Sequence, residues 1–194
     1  MDWKTIAAAR INAGKDAAVR IDLAAGKVDY DATRIKMHRE VREITGDEEI
    51  ARAFLIHRLV EELGYKADLI EVERPYEAGR PKIIVPRIDT ILKDASGAAF
   101  FFIEIKAPDK FESDKAYIDG QLFKLSGLHE AETGKDIRYL VYYTVEERGG
   151  EIFDKAIVID RHKYRTFQEW LDAGEPPAGN CLTPKYKRTK PLAR

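Results

Sequence analysis

The chain has 194 residues, of which 33 are basic and 34 acidic, so its formal net charge is −1. Hydrophobic residues make up 44% and charged residues 35%, which is typical of a soluble globular domain and excludes a largely disordered chain. No apolar run approaches the roughly 20 residues that span a bilayer, and the N-terminus lacks the apolar region of a signal peptide.

Charge is distributed unevenly along the chain. Residues 185–194 hold five basic residues and no acidic one, which leaves 28 basic and 34 acidic residues, a net charge of −6, in the rest. An acidic body of this kind either repels polyanions or holds carboxylates for a purpose such as metal binding. The single cysteine, Cys181, excludes an internal disulfide, and we expect a cytoplasmic protein without a membrane partner.

The N-terminal region, residues 1–43, predicts a helical extension of the main domain. Residues 5–19 are rich in alanine and place apolar side chains at helical spacing. Residues 28–30 predict a short strand, and residues 33–44 are again compatible with a helix.

The next predicted helix has clear start and stop signals. Asp47 is a candidate N-cap, and Glu48 and Glu49 follow in the first turn, where negative charge suits the helix dipole. An apolar stripe runs over residues 56–63, and Gly64 is suited to end the helix in a left-handed conformation.

Further along, the pattern alternates between strands and helices around a hairpin turn, DASG, at residues 94–97. This order predicts an α/β fold, a central mixed sheet flanked by helices, over a domain of residues 44–172. Residues 173–194 predict a basic linker that leads to further domains. The predicted strands are 69–73, 82–85, 87–92, 99–106, 138–145 and 157–160, and the predicted helices are 116–129 and 166–172.

The strand FFFIEIK after the hairpin carries the residues of greatest chemical interest. Its period of two places Phe100, Phe102, Glu104 and Lys106 on one face, so a carboxylate and an ammonium project together from an apolar strand. The partner strand of the hairpin carries Asp89, which falls near Glu104 or Lys106 according to the register. Two carboxylates and a lysine are therefore predicted to meet at one end of the sheet.

Burying two carboxylates together is costly without a counter-ion. A divalent cation held by Asp89, Glu104 and a backbone carbonyl, that of Ile105, would offset this cost, and Mg²⁺ takes one or two carboxylates together with waters and a substrate phosphate. Such a site is suited to phosphodiester hydrolysis by metal-bound water, with Lys106 stabilising charge. The alternative is an ordinary cross-strand ion pair on a solvated face, which the spacing alone favours equally.

A family resemblance favours the first interpretation. The D…E-x-K pattern after a hairpin resembles the PD-(D/E)xK nuclease superfamily. Residues 44–172 are more closely similar to the N-terminal nuclease domain of type I restriction enzyme R subunits. The resemblance is carried by Glu48, Glu49, Arg52, Leu63, Gly64, Tyr65, Glu71, Glu73, Arg87, Asp89, Glu104, Lys106 and Pro108.

The resemblance implies a restriction-endonuclease-like core and a set of roles. Asp89 and Glu104 would bind Mg²⁺, for which Mn²⁺ is expected to substitute, and Lys106 would be the catalytic lysine. A helix glutamate, Glu49 in preference to Glu48, would reach the metal through water, although simple dipole complementation also explains both residues.

The family also has a Q-x-x-x-Y motif on the helix after the core strand. Here Gln121 matches the glutamine, but Leu125 stands in place of the tyrosine. Tyr117, four residues before Gln121 on the same predicted helix face, is a candidate substitute. Arg52 and Lys124 complete the expected auxiliary residues for DNA binding. Taken alone, Gln121 is more simply a polar residue on an exposed helix face.

The function expected from the sequence is therefore Mg²⁺-dependent DNA endonuclease activity within a larger restriction-modification complex. Double-stranded DNA and other domains or subunits of that complex are the expected partners. No P-loop or methyltransferase motif is present, so we expect no ATP or S-adenosylmethionine site. Two alternatives remain: a catalytically silent nucleic-acid-binding or assembly module with the same fold, and a nuclease of DNA repair or recombination.

Overall fold

The computed structural model describes residues 2–77, 85–178 and 182, and within them an α/β fold is formed, as predicted. Four α-helices and eight strands are joined by shorter helical turns in this part of the chain. The helices are α1 (Trp3–Asn12), α2 (Asp47–His57), α3 (Leu125–Thr133) and α4 (Phe167–Asp172). The strands are β1 (Val19–Asp22), β2 (Lys27–Tyr30), β3 (Lys36–Met37), β4 (Ile70–Pro75), β5 (Arg87–Lys93), β6 (Ala99–Ile105), β7 (Ile137–Arg148) and β8 (Glu151–Asp160).

Six strands form the central sheet in the order β3-β4-β5-β6-β7-β8, while β1 and β2 form a separate hairpin. The sheet is mixed, as predicted. β3 runs parallel to β4 and β6 runs parallel to β7, and the other neighbours are antiparallel. The parallel pairing of β6 with β7 needs a long crossover, and the helical segment that ends in α3 provides it.

Hydrophobic cores lie on both faces of the sheet, because β5 and β6 in its centre are largely buried on both sides. Phe101, Ile103 and Ile105 of β6 join the first core with α1, α2 and the β1–β2 hairpin. Phe102 joins the second core, which includes apolar residues of α3 and Trp170 of α4. The prediction of helices on both faces is therefore confirmed.

The N-terminal region differs from the predicted helical extension. α1 ends at Asn12 rather than continuing to residue 19, and Ala17 has a positive φ of 60° just before β1 begins. The prediction of a helix over residues 33–44 is wrong, because Ile35 is buried, Lys36 exposed and Met37 half-buried, an alternation that suits β3. The predicted strand at residues 28–30 is confirmed as β2.

Two predicted helices are interrupted. The helix at Asp47 starts as expected, but Gly46 is its N-cap, and after His57 it widens into a π-helical turn over Arg58–Glu62. Gly64 follows with a φ of +71°, as predicted. The single helix expected over 116–129 is instead a 3₁₀ turn (Ser113–Tyr117), a π-helical segment (Asp119–Lys124) and α3. Gly120, a weak helix former, lies in the π-helical segment, whereas Gly127 is accommodated inside α3.

The β5–β6 hairpin contains the predicted turn, but Phe100 of β6 does not lie on the face of the sheet that was predicted for it. Asp94 N donates to the carbonyl of Ala98 (2.9 Å), and Gly97 N donates to the carbonyl of Asp94 (3.0 Å). The register then shifts, because Leu92 pairs with Phe101 but Lys93 pairs with Ala99, which makes Phe100 the extra residue of a β-bulge. Phe100 therefore packs against the first core beside Phe101, rather than sharing a face with Phe102.

The remaining predictions are partly outside the described residues. Residues 82–84 of one predicted strand, Cys181 and the basic segment 185–194 lie in the part that the structure does not describe. Within the part that it does describe, no helix has the length and apolar character needed to cross a membrane. The domain boundaries at residues 43 and 172 stay predictions.

Candidate functional site

The β5 and β6 strands separate at one end of their pairing, while β4 and β5 stay paired as far as Pro75 and Arg87. The separation of β5 from β6 creates room for polar side chains. The last pair between β5 and β6 is Thr90 with Ile103. One residue before Thr90, the carboxylate of Asp89 takes the place of a backbone partner, because its Oδ2 accepts a hydrogen bond from Ile105 N (2.7 Å). On β4, the pairing with β5 is interrupted at Glu73, whose φ of +57° is uncommon for a residue with a Cβ.

Glu104 and Lys106 form a buried ion pair at this end of the sheet. Lys106 Nζ donates to Glu104 Oε1 at 2.8 Å, and each residue is only 6% exposed. The backbone of Lys106 is fixed to β7, because its N–H donates to Tyr143 O (2.9 Å) and its carbonyl accepts from Thr144 Oγ1 (2.7 Å). The predicted convergence of the D…E-x-K residues is therefore present, and the ion pair is buried rather than solvated.

The protonation of this pair follows from burial and from the surrounding charges. Burial raises the pKa of Glu104 well above its ordinary value, and the nearby Asp89 raises it further, while Lys106 acts in the opposite direction. Burial lowers the pKa of Lys106, but the attraction of Glu104 and of Glu48 outweighs it, so the pKa is raised overall. Lys106 therefore keeps its positive charge at neutral pH.

Glu48, at the start of α2, is the helix glutamate that faces this pair. The pKa of Glu48 is raised overall, because burial outweighs the opposing charge of Lys106. Asp89 raises this pKa further, and a hydrogen bond from the backbone N–H of Ala107 lowers it. Glu49 points elsewhere, since successive residues of an α-helix are about 100° apart, and its charge acts on Arg52 and Tyr30 instead. The structure thus brings Glu48, rather than the preferred Glu49, to the ion pair.

Arg52, one turn further along α2, joins the helix to the two strands. It is 2% exposed, and its Nη2 donates both to Glu73 Oε1 (2.7 Å) and to Asp89 Oδ1 (2.9 Å). The sequence places Arg52 among the auxiliary residues for DNA binding, and in the fold its guanidinium is buried against two carboxylates. Glu73 is a site residue that the sequence reasoning passed over, although the family pattern includes it.

Tyr142 is another neighbour that the sequence did not single out. It is the register partner of Glu104 on β7, it is fully buried, and its ring packs on Phe111 at 4.8 Å between centroids. Its hydroxyl has no hydrogen-bond partner among the described residues. Burial raises the pKa of this hydroxyl, with Asp114 and Glu104 adding to the effect. An alternating apolar strand gives no sequence signal for such a position.

The predicted auxiliary residues of the following helical segment are not brought to the ion pair by any contact in the described residues. Gln121 lies in the π-helical segment, and its amide oxygen is buried without a hydrogen-bond partner in the part of the chain that is described. Tyr117 is 60% exposed in the 3₁₀ turn. Because the turn between them is not α-helical, the expected i, i+4 relation of Tyr117 and Gln121 does not hold. Lys124 is exposed and pairs with Asp119 at 2.8 Å.

Whether these residues suit a divalent cation can be judged from the donor set. Among residues 2–77, 85–178 and 182, no three acidic, histidine or cysteine side chains are already gathered as a complete metal site. However, the buried Glu104 carries an unfavourable repulsion from Asp89, and a cation between them would relieve it. Two carboxylates with waters suit Mg²⁺, which does not require an all-protein cage. The donor set therefore fits one such ion, with Glu48 near enough to act on the same charges.

A polar cleft of about 360 Å³ lies beside the Arg52 network. Its walls are the segment after β3 and the first turn of α2, and Glu73 and Glu49 reach into its lining. The lining residues are Arg39, Glu40, Val41, Arg42, Glu43, Thr45, Glu49 and Glu73. Acidic and basic side chains therefore alternate around an opening that adjoins the candidate site.

The fold and the site together define an α/β protein with a buried cluster of carboxylates around one lysine, at the end of a central mixed sheet. Residues 47–126 match the family model described as type I restriction enzyme R protein N terminus. The resemblance inferred from the sequence is thereby confirmed over this segment, which contains Glu48, Arg52, Asp89, Glu104 and Lys106. No curated protein matches the chain significantly.

Proposed function

We propose that this chain is a Mg²⁺-dependent DNA endonuclease domain of a restriction enzyme, which hydrolyses backbone phosphodiester bonds. The observation that carries the proposal is the meeting of Asp89, Glu104 and Lys106 at one end of the sheet, inside the segment that matches the restriction-enzyme family. An isolated surface ion pair would be solvated and would carry no such argument. The burial of Glu104 and Lys106 supports a role beyond ion pairing.

The roles of the residues follow from their environments. Asp89 and Glu104 would hold the cation together with the backbone carbonyl of Ile105, and Glu48 would reach it through water. A bound Mg²⁺ would supply an activated water and offset the charge of the phosphate. Lys106 keeps its proton, so it would stabilise negative charge on the phosphate rather than act as a base.

The family match also suggests which partners this chain would have. A type I restriction enzyme R-subunit domain implies a multi-subunit restriction complex that acts on DNA. We propose double-stranded DNA as the substrate and other subunits or domains of that complex as the source of sequence specificity. Mn²⁺ is expected to replace Mg²⁺, because both accept oxygen ligands in octahedral geometry.

A plasmid nicking assay with Mg²⁺ or Mn²⁺ tests the proposal. We expect Asp89→Ala and Lys106→Ala each to lower the rate by about 100-fold or more, since each removes a group that acts on developing charge. Asp109→Ala and Lys110→Ala are matched controls, because these residues follow the same strand and are exposed. Equal rates for wild type and both site variants would contradict the assignment.

Calorimetric titration with Mn²⁺ separates the nuclease from the catalytically silent module. The nuclease is expected to bind Mn²⁺ and to lose this binding in Asp89→Ala but not in Asp109→Ala. A chain that neither nicks DNA nor binds Mn²⁺ would instead be the silent module. A chain that binds Mn²⁺ without nicking would retain the metal site and contradict independent nuclease activity.

A further inference from the structure

Glu73 occupies a strained backbone position in β4. Its φ of +57° falls in the left-handed region, in the middle of β4, where a residue with a Cβ is disfavoured. It is nevertheless 9% exposed, and its carboxylate contacts the guanidinium of Arg52 at 2.7 Å. Strained, buried and charged positions of this kind occur at functional sites more often than elsewhere.

The contacts of Arg52 indicate what Glu73 does. A single nitrogen, Nη2, is shared between Glu73 and Asp89, while Nε and Nη1 have no hydrogen-bond partner among the described residues. The hydrogen bonds of one arginine are therefore divided between two carboxylates, while Glu49 acts on it by charge alone. Without Glu73, Arg52 and Asp89 would form a one-to-one pair with no net charge. With Glu73, the three side chains carry a net charge of −1.

This difference matters for a cation at Asp89. Asp89 Oδ1 and Oδ2 each accept one hydrogen bond, from Arg52 and from Ile105 N. A carboxylate has about four lone-pair sites, so two remain available while the side chain is held in one orientation. A fully neutralised Asp89 would attract a cation weakly, whereas a cluster with a net negative charge attracts it.

We propose that Glu73 is a positioning residue that shares Arg52 with Asp89 and thereby keeps Asp89 both fixed and negatively charged enough to bind a divalent cation. The inference rests on the proposed function, because it concerns the same metal site. It adds a residue that lies outside the D…E-x-K pattern and acts on the metal only through Arg52.

The test is the affinity for Mn²⁺, measured by calorimetry for the full chain and its variants. Glu73→Gln keeps the size of the side chain but removes its charge, and it is expected to weaken Mn²⁺ binding by about 10- to 100-fold. Glu73→Gly also removes the charge but accepts the left-handed backbone without strain, so it covers the case in which the glutamine variant fails to fold. The same loss of affinity is expected for both.

Glu43→Gln is the matched control. Glu43 lines the same cleft and is exposed, but it has no contact with Arg52 in the described residues. Its loss is expected to change the Mn²⁺ affinity by less than about twofold, because exposed charges are screened. Thermal unfolding without Mn²⁺ is measured in parallel, so that a change in affinity is compared only among variants that are folded.

The outcomes separate this inference from the proposed function. Wild-type affinity in a folded Glu73→Gln or Glu73→Gly variant would overturn the inference, as would an equal loss in Glu43→Gln. A wild-type chain that binds no Mn²⁺ would overturn it together with the metal site. A chain that binds Mn²⁺ in a Glu73-dependent way, but does not nick DNA, would leave the inference standing and contradict the nuclease activity.

Discussion

Glu48 and Glu49 are adjacent in the sequence but meet different charges in the folded chain. Glu48 acts on Lys106, whereas Glu49 acts on Arg52 and lines the cleft. The sequence identifies both as first-turn acids of a helix but cannot choose between them. The choice depends on how α2 is rotated about its axis, which is decided by the burial of apolar residues such as Phe54 and Ile56.

This difference gives a prediction for paired variants. Glu48→Gln is expected to lower the rate of Mg²⁺-dependent nicking by about tenfold or more, because it removes a charge next to the proposed ligands. Glu49→Gln is expected to stay within about threefold of wild type, since its charge acts on Arg52 and Tyr30, whereas Glu48 is the helix glutamate that acts on Glu104 and Lys106. Nicking rates at saturating Mg²⁺ check this, and the reverse order of effects would assign the metal role to Glu49.

The candidate site was predictable to the extent that it follows from strand periodicity. Asp89, Glu104 and Lys106 could be placed together because the hairpin turn is short and its strands pair without a break from Leu92 to Thr90, the residue next to Asp89. Glu73 and Tyr142 could not be found in the same way. The position of Glu73 depends on a left-handed backbone, and that of Tyr142 on the parallel register between β6 and β7. Both arise from long-range packing rather than from local sequence.

At the scale of elements, the contact between α3 and the sheet includes a titratable pair. His129 of α3 is 1% exposed, and its Nδ1 lies 2.8 Å from the hydroxyl of Tyr76, just after β4. Burial, with a smaller contribution from the charge of Arg74, lowers the pKa of His129 to about 4. The unfolded chain binds this proton near pH 6.5, whereas the folded chain binds it only near pH 4.

The sign of the resulting pH dependence follows directly. Because the unfolded state takes up a proton first, the free energy of unfolding is expected to fall as the pH is lowered from about 6.5 to 4, by roughly 3 kcal/mol in total. His129→Gln is expected to be less stable at pH 7 but to lose less stability over this range. Denaturant titrations at several pH values check this, with the exposed His162→Gln as control. An unchanged slope in His129→Gln would contradict it.

Elements were predicted best where local signals act alone. The turn at residues 94–97 and the helix over residues 166–172 form as expected, because the hydrogen bonds of the turn and of the Thr166 cap are local. The bulge at Phe100 and the π-helical segment before α3 were missed. The bulge accompanies the packing of Phe100 on the first core, and the π-helical segment contains Gly120. Neither the position of the bulge nor the type of helix follows from the periodic pattern of the sequence.

At the scale of the whole molecule, the N-terminal region is part of the main structure. Ile11 of α1, Val19 of β1 and Val28 of β2 are at most 2% exposed and belong to the same core as Phe54 and Ile103. The segment that matches the family model, residues 47–126, contains neither these elements nor β7 and β8. The fold of the described chain therefore depends on residues on both sides of that segment.

A truncation tests this dependence. Deletion of residues 1–43 is expected to abolish cooperative thermal unfolding, because it exposes one side of the first core. Deletion of residues 185–194, which the sequence predicts to be a linker, is the control and is expected to leave the unfolding midpoint within about 2 °C. Circular dichroism and calorimetry provide the measurement. A cooperative transition in the N-terminally truncated chain would show that residues 1–43 are a separable extension.

The charge of the whole chain predicts its behaviour towards DNA. Outside residues 185–194 the net charge is −6, and the candidate site adds repulsion where a phosphate would bind. We expect weak binding of a DNA duplex without divalent metal, and at least about tenfold tighter binding with Ca²⁺, which would neutralise the site. Fluorescence anisotropy at fixed ionic strength checks this. Equal binding with Ca²⁺ and with a chelator would contradict it.

The contact between the first helix and the last strands has a consequence for how the protein is made. Arg10 of α1 donates to the carbonyl of Ile152 at 3.0 Å, across 142 residues of sequence. Such contacts between distant parts of the chain slow folding, because a long loop must close before they form. On the ribosome, α1 would emerge long before its partner strand. We therefore expect the first core to close only after β8 has been synthesised.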